Sequence, residues 1–174
     1  MTDKSLYQIA LTQIKGVGVT LARNLMEVMG DEEAVFKESI SKLETIPRIS
    51  KRLITEIRNS EVLRKAEKEL EFVTKNNIHL LFFTDKNYPK RLNNCIDAPI
   101  LMYAKGNVEF NRNKVINIIG TRNATKYGLD FCRDFVKDIS QRFPDIQTIS
   151  GLAYGIDICA HRAALKNGLS TVAV

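Results

Sequence analysis

The strongest constraint on the fold lies in residues 115–174, where short apolar runs alternate with helix-length segments and the first two runs end in glycine-bearing loops. Residues 115–119 (VINII) predict a strand, followed by the loop Gly120, Thr121, Arg122, Asn123, Ala124, Thr125. A helix is expected over 127–142, with Leu129, Phe131, Cys132, Phe135, Val136 and Ile139 available for its sheet-facing side. Residues 146–150 give a second strand and 151–157 (GLAYGID) a second loop; 158–166 form a second helix, ended by Asn167 and Gly168, and 170–174 a third strand. Strands that alternate with helices pair in parallel through right-handed crossovers. Ligands of such sheets bind beyond the carboxyl ends of the strands, and both glycine loops lie there.

The chemistry of these loops suits an anion. Gly120 lets the backbone approach closely, and Arg122 offers a planar fork for bidentate bonding to phosphate. Gly151 and Gly155 keep the second loop free of bulk where a helix begins, which brings free N–H groups and a positive dipole end together. Ser150, Thr121 and Thr125 can add neutral hydrogen bonds. Glycine also serves tight strand-to-helix turns, so the glycines alone decide nothing; two such loops, an arginine and a local excess of positive charge together point to phosphate. The net charge is +6. Residues 1–77 hold 13 Lys+Arg against 12 Asp+Glu, whereas 78–174 hold 13 against 8, so the excess sits in the second part. The loops spell neither GxGxxG nor GxxxxGK[ST], which argues against a dinucleotide-dependent dehydrogenase or a P-loop NTPase.

The first 76 residues read as helices. Leu6, Ile9, Ala10 and Ile14 form one helical stripe, and Leu21, Leu25, Val28 and Met29 a second. Lys15, Gly16, Val17 and Gly18 leave room only for a tight hairpin between them. Gly30 is expected to end the second helix and Asp31 to cap a third. A faint repeat follows: the Ile14-Lys15-Gly16-Val17-Gly18 hairpin and its helix align with Ile46-Pro47-Arg48-Ile49-Ser50, 32 residues later. The pair looks like two helix-hairpin-helix units, and Lys15, Gly16 and Gly18 are secondary candidates for phosphate contact. Such units also serve as packing elements, and Arg48 and Ser50 crowd the second copy. A charged helix is expected over 60–75, and the step at Asn76 and Asn77 sets a domain boundary: helical residues 1–76, then 77–174. Beyond it, 78–83 and 100–104 are short apolar runs that read as strands.

No stretch approaches the roughly 20 apolar residues of a membrane span, and the N-terminus shows no signal-peptide pattern. Cys95, Cys132 and Cys159 match neither a disulfide framework nor a metal knuckle and are expected to be reduced, buried thiols of a cytoplasmic protein. His79 has no second ligand at metal spacing. Neither a metal nor a cofactor is expected.

Residues Ser150-Gly151-x-Ala153-x-Gly155-Ile156-Asp157-x-x-Ala160-His161 resemble the SGxAxGID…AH signature of the DprA/Smf family. Gly120-Thr121-Arg122 is similar to that family's G-[SAT]-R loop, and Tyr88-Pro89, residues 97–106 and the paired hairpins follow its layout. The resemblance covers nearly the whole chain. It implies an α/β fold: an extended Rossmann-like parallel sheet, incomplete at its C-terminal side, preceded by a small all-α helix-hairpin-helix (SAM-like) domain. It also implies a protein that binds single-stranded DNA without sequence preference, protects incoming strands and loads the RecA recombinase in natural transformation, with no catalytic activity. Arg122 then matches the phosphate-gripping arginine, and Gly120, Thr121, Ser150, Gly151 and Gly155 match the pocket loops. Asp157 is expected to cap or anchor its loop, and His161, one turn on, to hydrogen-bond to it in a structural role. Family members continue past the third strand, so the sequence to Val174 is expected to be a fragment without the family's RecA-contact and self-association surfaces. The alternative is a Rossmann-like nucleotide-binding enzyme or sensor, because related domains bind nucleotides at equivalent loops.

Overall fold

The structure, a computed structural model, describes residues 3–107 and 109–174, which fall into two compact units, 1–111 and 112–174. The first unit opens with α1 (Asp3–Gln13), α2 (Val19–Met29), α3 (Glu32–Lys37), α4 (Ile40–Glu44), α5 (Lys51–Ile57) and α6 (Ser60–Lys75). Its helix ends follow local rules. Gly30 ends α2 at φ +90° with its N–H bonded to the Met26 carbonyl, and the Asp31 carboxylate accepts from the Ala34 N–H at 2.7 Å to start α3. Both were expected.

The repeat is geometric as well as sequential. Gly16 and Arg48 both have positive φ, at +90° and +69°. The Val17 N–H donates to the Ile14 carbonyl and the Ile49 N–H to the Ile46 carbonyl; Ala22 and Ile54 donate to Gly18 and Ser50. The copies differ at the helix start. Ser50 Oγ accepts from the Leu53 N–H at 3.2 Å, whereas Gly18 offers α2 no side-chain cap.

Strands β1 (Ile78–Phe82) and β2 (Leu101–Lys105) form an antiparallel pair, Ile78 opposite Lys105 and Phe82 opposite Leu101. Phe82, Ile100 and Leu101 enter the same apolar core as Ile9, Leu25, Leu43 and Ile57 of the helices. Between the strands, the buried Tyr88 donates its phenol to the Pro99 carbonyl at 2.5 Å. The change from helical to strand periodicity at 76/77 therefore falls inside the first compact unit, and the break between units lies at 111/112. A shared core joins elements of different period, which periodicity alone does not reveal.

The second unit is a three-stranded parallel sheet in the order β3–β4–β5, with β3 (Val115–Asn117), β4 (Gln147–Ser150) and β5 (Ser170–Ala173). Val115 pairs with Gln147, and Gln147 in turn with Ser170. Each connection is a crossover through a helix, α7 (Lys126–Arg142) and α8 (Ile156–Lys166), and the two helices pack on each other. Val136, Ala164 and Leu169 fill the core, and Cys132, Cys159 and Ala160 form a smaller apolar cluster beside it. Burial pushes the Cys132 thiol up to about 11, with the neighbouring Cys159 adding to the shift. Cys95 is exposed, contrary to expectation, because the short helical turn at Leu92–Asn94 carries it on the surface of the first unit. Phe131 and Phe135 also depart from expectation. They do not face the sheet but stack outward with Tyr127 along α7, at 6.5 and 6.2 Å between centroids, while Cys132 and Val136 take the core side.

Candidate functional site

The carboxyl ends of β3 and β4 bring both glycine loops together. The Ile156 N–H, at the start of α8, donates to the Thr121 carbonyl at 3.2 Å. Gly155, at φ +83°, lies against the first loop: a β-carbon there would stand 2.2 Å from the Thr121 carbonyl oxygen and 2.6 Å from that of Arg122. A β-carbon on Gly120 would stand 2.6 Å from Ile156 Cβ, and one on Gly151 2.5 Å from Asp157 Oδ2. These glycines are thus needed for close packing between loops and helix. Clamping the backbone from below leaves the Arg122 side chain in solvent, and among the described residues its guanidinium has no hydrogen-bond or ion-pair partner.

The hydroxyls named from the sequence are already engaged. Thr125 Oγ1 accepts from the Gly128 N–H at 3.2 Å and so caps α7. Thr121 Oγ1 accepts from the Asn123 N–H at 3.2 Å, which shapes the first loop. Ser150 is buried and donates to the Ile118 carbonyl at 2.6 Å, tying β4 to the end of β3. Thr121 and Thr125 are exposed and keep a hydroxyl proton for a ligand, whereas Ser150 acts through the frame.

Asp157 and His161 do not bond to each other. His161 Nε2 lies 2.9 Å from the Gly151 carbonyl and Nδ1 2.7 Å from Thr171 Oγ1. A carbonyl only accepts, so Nε2 carries a proton and donates to it. The ring links α8 to β5 and to the second loop, a structural role. Asp157 makes no capping bond, since Gly155 takes the cap position before α8 and the carboxylate sits beyond it, inside the first turn. It is 95% buried and its Oδ1 has no hydrogen-bond partner among the described residues.

Arg122, Gly151 and Asp157 border an open recess of about 550 Å³ together with Leu152, Tyr154 and Val174. Tyr154 is 84% exposed and Leu152 77%. An exposed aromatic ring beside a free guanidinium can stack a base while the cation holds a phosphate. The sequence reading passed over Tyr154, although an aromatic residue within a glycine loop, with no place in a helical or strand stripe, was a usable signal. The secondary candidates in the first unit are also surface groups: Lys15, Gly16 and Gly18 are exposed. A β-carbon on Gly18 would meet nothing within 4 Å. Among the described residues no group of three or more His, Cys, Asp or Glu is placed to hold a metal, and no helix is long and apolar enough to cross a membrane.

Residues 79–174 match the family model described as DNA recombination-mediator protein A, starting inside β1. The chain is 36% identical over 90 residues to DNA processing protein DprA of Streptococcus pneumoniae, covering 52% of this chain and 31% of the relative. It is 35% identical over 98 residues to DNA processing protein DprA of Bacillus subtilis, with coverages of 56% and 32%. Protein Smf of Synechocystis aligns over 172 residues at 26% identity, covering 97% of this chain and 43% of that one. The fold matches the X-ray structure of DNA processing protein A from Streptococcus pneumoniae with a TM-score of 0.62 and 25% identity, over 100% of this chain and 57% of that one. The chain spans about a third of the length of the first two relatives.

Proposed function

The chain belongs to the DNA recombination-mediator protein A family, and on that premise we propose that it is the part of a cytoplasmic DNA-processing protein that holds single-stranded DNA by its phosphates. The observation that carries this reading is the unpartnered Arg122 guanidinium, presented in solvent above a backbone clamped by Gly155. A strand phosphate takes the fork of Arg122, with the Thr121 and Thr125 hydroxyls beside it, and Tyr154 stacks a base. The second unit suits such a ligand electrostatically, with nine Lys+Arg against five Asp+Glu in residues 112–174. Recognition through backbone and stacking carries no base code, so binding is sequence-tolerant.

The role is binding rather than catalysis: the strand is protected while held and passed to the RecA recombinase during transformation. A salt titration tests the phosphate reading. Oligothymidine should lose affinity with a log–log slope of about −0.7 for each phosphate held, and a mononucleotide should bind weakly with a shallow slope. Tight, salt-insensitive binding of a mononucleotide would replace a strand binder by a nucleotide enzyme or sensor.

A further inference from the structure

A second cationic surface lies away from the loops. A groove of about 660 Å³ runs between α7 and α8, from Gly155 at the start of α8 to Asn167 at its end. Arg133 and Lys137 of α7 face Arg162 and Lys166 of α8 across it, and all four are exposed. The one carboxylate in its lining is Asp134. Arg133 is tied to Asp130 at 2.5 Å, but Lys137, Arg162 and Lys166 have no ion-pair partner among the described residues. Leu129 and Ile158 contribute to an apolar floor.

This arrangement differs from a solvated charged face in two ways. Charges on α7 are largely sorted: Arg133 and Lys137 turn toward α8, Asp130 and Asp138 accompany the outward aromatic stack, and Asp134 borders both sides. Sorted charge across a concave, partly apolar channel creates a positive field within it. The groove also starts beside the candidate site, because Gly155, which lines it, packs against the Thr121 and Arg122 carbonyls of the first loop.

The geometry points to this groove as a second binding track for single-stranded DNA, resting on the reading that the loops hold the first phosphate. The strand continues from Arg122 past Gly155 and along α8, with phosphates on Lys137, Arg162 and Lys166 and bases over the apolar floor. The 11 residues of α8 span about 16 Å, room for about five phosphates at the ~3.4 Å spacing of a stacked strand.

The test compares oligothymidines of about two nucleotides, which reach only the loop site, and about thirty by fluorescence anisotropy at several salt concentrations. The full chain, Arg122→Ala and the pair Arg162→Ala/Lys166→Ala are measured, with circular dichroism confirming the fold. The pair should leave the short strand's affinity unchanged and lower the long strand's salt slope by about 1.4, about 0.7 for each cation removed. Restoring charge with Arg162→Lys/Lys166→Arg should restore the slope. An unchanged long-strand slope in the pair, with Arg122→Ala still weakening both strands, overturns the groove and leaves the loop site standing. The reverse pattern, a sensitive pair and an indifferent Arg122→Ala, supports the groove and removes the loop site. Pair-sensitive binding of polyglutamate with no effect on either strand would assign the groove to an acidic protein segment and overturn the proposal.

Discussion

Both units place glycines where a helix begins, and they do so for opposite reasons. In the first unit, a β-carbon on Gly16 would meet only Leu53 Cδ1 at 3.7 Å, and one on Gly18 would meet open space. In the second, β-carbons on Gly120, Gly151 and Gly155 would stand 2.6, 2.5 and 2.2 Å from neighbouring atoms. The hairpin glycines leave backbone exposed; the loop glycines let backbone pack. An exposed glycine at a helix start is thus a weak sign of a binding site. The loop glycines matter to binding chiefly because their packing fixes where Arg122 stands.

This contrast orders the expected effects of substitution. Gly155→Ala is the most damaging, since it combines an unfavourable positive φ with collision against two fixed carbonyls. A loss of about 3 kcal/mol or more is expected, enough to unfold the second unit in urea well before the first. Two separate unfolding transitions, with only the second unit's moved, are the signature; an unchanged denaturation profile would mean that the loops are not packed as described. Gly151→Ala follows, at about 1–3 kcal/mol, because it meets the end of one side chain. Adding Asp157→Ala should recover part of that loss, since it removes the colliding carboxylate; strictly additive losses would refute the contact. Smallest is Gly18→Ser, which copies Ser50 of the second hairpin. It should raise stability by a few tenths of a kcal/mol through the missing cap, and a clear destabilisation would break the equivalence of the two hairpins.

The parts legible in the sequence were those set by local chemistry. Asp31 reads as a helix cap because a short carboxylate before a helix has few other roles, and Gly30 as a stop because it alone readily takes positive φ. The paired hairpins were visible at 32 residues' spacing, although Arg48 hides the positive φ that it shares with Gly16. Arg122 was legible as a cation in a loop beyond a strand. The orientation of Phe131 and Phe135 was not, because the apolar residues of α7 cover too wide an arc for periodicity to choose a face. The aspartates at 130, 134 and 138 could have chosen it, since they ride beside the aromatics. Asp157 and His161 stand one turn apart and invite pairing, yet His161 is claimed by Gly151 and Thr171 across the sheet. Such contacts depend on which strand lies beside which helix. The antiparallel β1–β2 pair likewise joins the helical core through apolar residues that give no hint of their partners.

The central claim is that the second unit, through Arg122, holds a strand phosphate while the hairpin of the first unit does not govern affinity. Oligothymidine binding by Arg122→Ala and Lys15→Ala, measured by anisotropy across a salt series with folding checked by circular dichroism, tests it most directly. A charged bond to phosphate contributes about 1.5–3 kcal/mol. Arg122→Ala should therefore lose roughly tenfold or more in affinity and lower the salt slope by about 0.7, with Lys15→Ala close to the unaltered chain. A folded Arg122→Ala protein with unchanged affinity and slope, beside a weakened Lys15→Ala, would contradict the account and move the strand to the helical hairpins.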